Sequence, residues 1–304
     1  MADPARAPRA LGGAAFATLL LIAVLMGANH VAARIAFNAG ADVATAVALR
    51  SSVTTAVLVA VMALQGVRPR FSTRHKRALP LIGLLIGIQS LCLYSSVARL
   101  PVALALLAFN TYPMAAAFWA WALYRKPPER PMLVAMPVIL AGLALALDVS
   151  GAASGLGAGG HWARIGAGVA FALAASAVFG LALVVTQHAA GDVDGRVRTA
   201  TTMAMATLVG LGMVASQGGF HFPQTPAGWG GLAALTVLYG TGITLLFTAL
   251  PRLGVVGNSP IMNVEPVCAL VLAWVLLDQA IAPMQLAGAA IVVGAVMALG
   301  MRRR

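Results

Sequence analysis

The sequence predicts an all-α polytopic membrane protein: ten transmembrane helices, arranged as two inverted five-helix repeats around a central cavity. Three observations predict it. Hydrophobic residues make up 61% of the chain and charged residues only 9%, whereas about a quarter of a soluble domain is charged. The apolar runs are long enough to cross hydrocarbon, which takes about 20 helical residues. The chain also repeats itself at an offset of 153 residues, half its length. RLPVALALLAFNTYPMAAAFWAWAL, from Arg99, lies without a gap on RLGVVGNSPIMNVEPVCALVLAWVL, from Arg252. Coincident Ala and Leu are cheap in this composition. The coincidence of Arg99 with Arg252, Asn110 with Asn263, Pro113 with Pro266 and Trp121 with Trp274 is not. The halves are placed at 1–150 and 151–304.

The first span, 11–37, follows Arg6 and Arg9 as a signal peptide would, but its apolar run is too long for a typical signal core. The next four fall at 42–65, 79–97, 101–124 and 131–148. The second half supplies 163–189, 197–216, 228–250, 254–277 and 283–301. Each is read as a helix, because a helix satisfies its own backbone in hydrocarbon. The alternating ten-residue segments of a membrane barrel are not visible. Between the halves, Gly155, Gly157 and Gly160 form a dinucleotide-like GxGxxG, which carries meaning only between a strand and a helix. Here it reads as a flexible linker.

Orientation follows from the basic residues. With both termini cytoplasmic, all but four of the 20 Lys and Arg residues fall on the inner side. The exceptions are Arg34, Arg50, Arg99 and Arg164, and Arg34 and Arg50 read as snorkelling toward the outer interface or as pairing with a carboxylate. Five spans per half is an odd number, so the second half is inverted. Inverted repeats are the pattern of secondary transporters, with the substrate held at mid-membrane. The net charge of +12 comes in short clusters between spans, which argues for topology signals and against nucleic acid.

The organising stretch is the ninth span, where Pro260 and Pro266 interrupt the helix among Asn258, Asn263 and Glu265. A carboxylate at membrane depth costs roughly 2.5–3.5 kcal/mol on insertion scales and faces a cavity or a partner. Glu265 is therefore a functional candidate, against the alternative of a merely protonated or paired buried carboxyl. His30 is a candidate proton relay or a packing residue. Asn29, Tyr94, Asn110, Tyr112 and Tyr239 are candidates to line the cavity. Pro113, Pro260 and Pro266 are hinge candidates; Pro113 and Pro266 free the carbonyls of Phe109 and Met262, in static or moving kinks. The fifth and tenth spans are apolar and rich in small residues, so they read as peripheral, in a monomer or weak dimer. No nucleophile and base constellation, Walker motif or HExxH is present, and Cys92 and Cys268 have no metal-ligand spacing, so neither enzyme, cofactor nor metal is expected.

GANHVAARIAF in the first span, AVALRSS in the second, and the paired runs ending WAWAL and LAWVLLDQ resemble the EamA branch of the drug/metabolite transporter superfamily over nearly the whole chain. The helix-end acid usual there is displaced, with Arg125 and then Glu129 after the fourth span and Asp278 after the ninth. The resemblance implies a multi-pass transporter of the bacterial inner membrane that exports small metabolites, amino acids foremost. Within the family the chain is similar to YddG-type exporters of aromatic amino acids. Sugars, nucleotides or drugs as cargo, and an uncoupled facilitator, remain the alternatives.

Overall fold

The computed structural model describes residues 13–128, 130–151, 155, 157–248, 265–279 and 282–302. All regular structure among them is helical. The first half holds α1 (Gly13–Asn38), α2 (Val43–Leu64), α3 (Thr73–Val97), α4 (Val102–Phe109), α5 (Tyr112–Tyr124) and α6 (Arg130–Ala146). The second holds α7 (Gly157–Ala189), α8 (Gly195–Ser216), α9 (Pro226–Thr248), α10 (Glu265–Leu277) and α11 (Pro283–Arg302). Among the described residues six segments are long and apolar enough to cross a membrane, Val102–Tyr124 being counted as one.

Three boundaries depart from the sequence expectation, each for a local reason. α3 begins six residues early, at Thr73, because Ser72 and His75 form a reciprocal cap: the Ser72 hydroxyl accepts from the His75 N–H, and His75 Nδ1 accepts from the Ser72 N–H. α7 begins at Gly157, so the glycine-rich join is shorter than the expected linker and Gly160 lies in the helix. The fourth span is broken outright between α4 and α5. Asn110 caps α4, and Pro113, which has no N–H to reach back to the Phe109 carbonyl, sits in the first turn of α5.

The most extensive helix contacts run between the halves. α1 packs on α9, α3 on α7, α2 on α8 and α6 on α11. Exchanging each helix with its partner in the other half maps α1·α9 onto α3·α7 and leaves α2·α8 and α6·α11 unchanged, as a pseudo-two-fold axis requires. The paired helices run antiparallel. The start of α2 meets the end of α8, where a Cβ on Gly210 would stand 2.9 Å from the Ala48 nitrogen. The end of α2 meets the start of α8, where Arg196 donates to Gln65.

The repeat offset is visible in the packing itself. A Cβ on Gly27 of α1 would lie 3.0 Å from the backbone nitrogen of Ala269 in α10. One on Gly180 of α7 would lie 2.6 Å from the nitrogen of Ala116 in α5. Gly180 and Gly27, and Ala269 and Ala116, are each 153 apart. The same crossing is built twice from the same residue types, and only glycine admits the two backbones at that distance.

Both ends of the α2 and α8 pair are tied across the halves. At one end His75 Nε2 lies 3.1 Å from Asp192 Oδ1. At the other, His221 Nδ1 lies 3.8 Å from Asp42 Oδ2, backed by the Asp42 N–H donating to the His221 carbonyl at 3.2 Å.

Candidate functional site

The Gly27 crossing sets α10 against α1 with Glu265 at its first turn. His30 is one helical turn beyond Gly27 on the same face of α1. Its Nε2 stands 3.2 Å from Glu265 Oε1, with the histidine side chain buried and the glutamate partly exposed. Asn29, the next residue back, is fully buried; its amide donates to the Met26 carbonyl, and its Oδ1 accepts from the Tyr94 hydroxyl at 2.5 Å. The His30 and Tyr94 rings are 5.4 Å apart, and Phe37 meets Tyr94 edge-on at 6.0 Å.

Arg50 is the hub. It is 3% exposed. Its Nη1 donates to the Tyr94 hydroxyl at 3.1 Å and its Nη2 to Ser90 Oγ at 2.9 Å. The guanidinium carbon lies 3.8 Å from the centroid of the Tyr239 ring and 4.8 Å from that of Tyr94, in cation–π range of both. The expectation that Arg50 snorkels to the outer interface is therefore corrected: Arg50 lies on the face of α2 that packs against α3, α8 and α9, and its guanidinium is held there by Tyr94, Ser90 and Tyr239. Elsewhere on α2, the hydroxyls of Ser52, Thr54 and Thr55 bond back to carbonyls of their own helix. Arg34 is half-buried and reaches the end of a neighbouring helix. It donates to the Val97 carbonyl at 2.7 Å and so caps the C-terminal end of α3, where the helix dipole favours a cation.

The structure thus joins Tyr94 and Tyr239 through Arg50, and Asn29, His30 and, beyond it, Glu265 through Tyr94. It places Asn110 and Tyr112 elsewhere, at the α4 and α5 break. There Tyr112 packs with Phe109 and Phe179 at centroid distances of 5.6 and 5.0 Å, and Thr111 shares a 2.9 Å hydrogen bond with Ser176. Asn258, Pro260 and Asn263 lie outside the described residues. Pro113 and Pro266 both fall in the first turn of a helix. Arg50 and Ser90 are the partners that the sequence did not assign to a site. The run Arg-Ser-Ser-Val-Thr-Thr on α2 was the available signal.

The offset of 153 gives the site a counterpart in the other half, and the counterpart carries no Arg, His or carboxylate. His30 corresponds to Leu183, Asn29 to Ala182, Arg50 to Met203 and Glu265 to Tyr112. Tyr239 touches both sides, with its ring against Arg50 and its hydroxyl 3.6 Å from Met203 Sδ. Among the described residues no group of three or more His, Cys, Asp or Glu is placed to hold a metal.

A bundle of long apolar helices in two like halves, with few charged residues along the spans, defines a multi-pass membrane protein. The chain belongs to the EamA-like transporter family, whose profile matches twice, at residues 13–147 and 166–301. It is therefore a membrane transporter of small molecules. No protein of curated function matches. Among solved structures, one crystal structure, 19% identical, superposes with a TM-score of 0.62 over 96% of this chain and 99% of the other. It shares the fold.

Proposed function

We propose that this protein exports small zwitterionic metabolites, amino acids foremost, across a bacterial inner membrane by alternating access. On this reading ten spans form two inverted repeats, 1–150 and 151–304, with both termini cytoplasmic. The antiparallel pairing of α2 with α8 supports the inversion, since an axis relating antiparallel helices lies in the membrane plane. The observation that carries the reading is one connected cluster that holds a buried cation, Arg50, on one side and the His30–Glu265 pair on the other. A carboxylate and an amine on one small molecule match such a site. Glu265 and His30 are the groups through which a proton gradient would couple, because a proton on the glutamate removes the charge from the contact that ties α10 to α1, whereas a proton on the imidazole strengthens it. An aromatic side chain on the cargo suits the Tyr239 and Met203 side but is not required by it.

Counterflow into proteoliposomes tests this. Vesicles loaded with unlabelled phenylalanine or threonine should accumulate label, and a pH gradient should change the rate. Glu265→Gln should keep exchange within about tenfold of wild type while losing the pH response. If neither amino acid exchanges in folded protein, the cargo class is wrong. Exchange that ignores pH in both proteins makes Glu265 structural and the protein a facilitator.

A further inference from the structure

We infer that Arg50 is the anion anchor for the cargo and that the cargo carries a single negative charge, a carboxylate, which completes the guanidinium's coordination. The inference rests on the transporter reading above for its location but on Arg50's own surroundings for its chemistry.

The guanidinium is buried with neutral partners. Ser90 Oγ and Tyr94 Oη accept from it, and both hydroxyls have their own protons engaged. Tyr94 donates to Asn29, and Ser90 donates to Gln89 Oε1 at 3.5 Å. Arg50 Nε has no partner among the described residues. No carboxylate lies within 4.0 Å of the guanidinium among them either. The sequence sharpens this. Among the described residues Glu265 is the only acidic residue within a helix, Asp42 and Asp148 standing at span ends, and it is engaged with His30. The undescribed stretch 249–264 contains no Asp or Glu at all.

A buried cation held only by hydroxyls and two ring faces keeps most of its desolvation cost. An arriving monoanion relieves it and finds N–H donors in the planar fork that arginine offers carboxylates. A dianion such as phosphate would bring a second negative charge toward Glu265, one ring away through His30. The site therefore prefers carboxylate to phosphate. Met203 at the equivalent position of the other half makes the anchor one-sided, so the cargo's charged end has one orientation in the site.

The test is binding, not transport. Full-length protein in phosphatidylcholine nanodiscs would be titrated with phenylalanine, 3-phenylpropionate, phenylalaninamide and inorganic phosphate. The expected result is that the two carboxylates bind at least about tenfold more tightly than the amide and that phosphate does not compete. In Arg50→Gln that preference disappears, and Arg50→Lys restores part of it. Should Arg50→Gln fail to fold, the wild type alone decides: acetate must raise its melting temperature and acetamide must not. A carboxylate preference that survives in folded Arg50→Gln overturns the assignment. So does a wild type that binds none of the carboxylates or prefers the amide. Protein that binds phenylpropionate through Arg50 yet fails counterflow keeps the anchor and loses the transport reading.

Discussion

Tyr94 holds the two sides of the polar cluster together with one hydroxyl, accepting from Arg50 and donating to Asn29. Tyr94→Phe leaves both groups buried and short of a partner, at about 1–3 kcal/mol each. The expected outcome is a lower melting temperature in detergent with no change in helix content; an unchanged melting temperature would mean water replaces the hydroxyl. The residues of this cluster show how far sequence reasoning reaches. Polar type inside an apolar run was enough to select Asn29, His30, Tyr94, Tyr239 and Glu265. Depth along the span suggests snorkelling or a carboxylate partner for Arg50, and depth is a poor guide because it does not say which face of the helix a residue occupies: Arg50 lies on the inner face of α2 while Val53, Val57 and Val59 lie on an exposed one. Asn110 and Tyr112 were selected by the same criterion and belong to a different neighbourhood, because the criterion says nothing about which face of the bundle a break turns toward.

At the scale of helices and their connections, the glycine crossings carry a graded prediction. A methyl on Gly180 meets backbone at 2.6 Å, one on Gly27 at 3.0 Å, and one on Gly212 nothing within 4 Å. Gly180→Ala should destabilise more than Gly27→Ala, each within the roughly 1–3 kcal/mol of overpacking. Gly212→Ala should stabilise by about 0.5–1 kcal/mol through helix propensity. Thermal denaturation of the three checks the order, and a stabilising Gly180→Ala would contradict the close crossing. The α7 and α8 connection carries a pH prediction. A hydrogen bond from its own backbone N–H and then the His75 ring hold the Asp192 carboxyl below its ordinary range. A depressed carboxyl contributes stability above its unfolded pKa and loses it as pH falls through the folded one. Asp192→Asn should therefore melt earlier than wild type near neutrality, and the gap should close below the carboxylate range. A gap that is constant with pH would mean the tie is not electrostatic. The early start of α3 was invisible to hydropathy, since Arg74, Lys76 and Arg77 read as loop; the Ser72 and His75 cap was the signal that settled it.

For the whole molecule, the repeat was legible because Arg, Asn, Pro and Trp cannot coincide cheaply at one offset. Its spatial meaning was not, since a linear offset does not say whether like halves stand side by side or interlock. They interlock, and the divergence between them falls at the site, where Arg50, His30 and Asn29 face Met203, Leu183 and Ala182 by position. Met203→Arg would restore symmetry of charge. It should weaken carboxylate selectivity and slow exchange by about tenfold or more, because the inserted cation is buried without a counter-ion; proteoliposome uptake checks this, and wild-type rates would show the second position to be solvated.

The interlocking also bears on how the chain is made. α1, α2, α3 and α6 each find their principal neighbour in a helix synthesised later. While the ribosome is still in the first half, those faces have only lipid or the insertion machinery to cover them. Genes for 1–150 and 151–304 expressed together should therefore yield one assembled protein that purifies as a pair, whereas either fragment alone should be degraded.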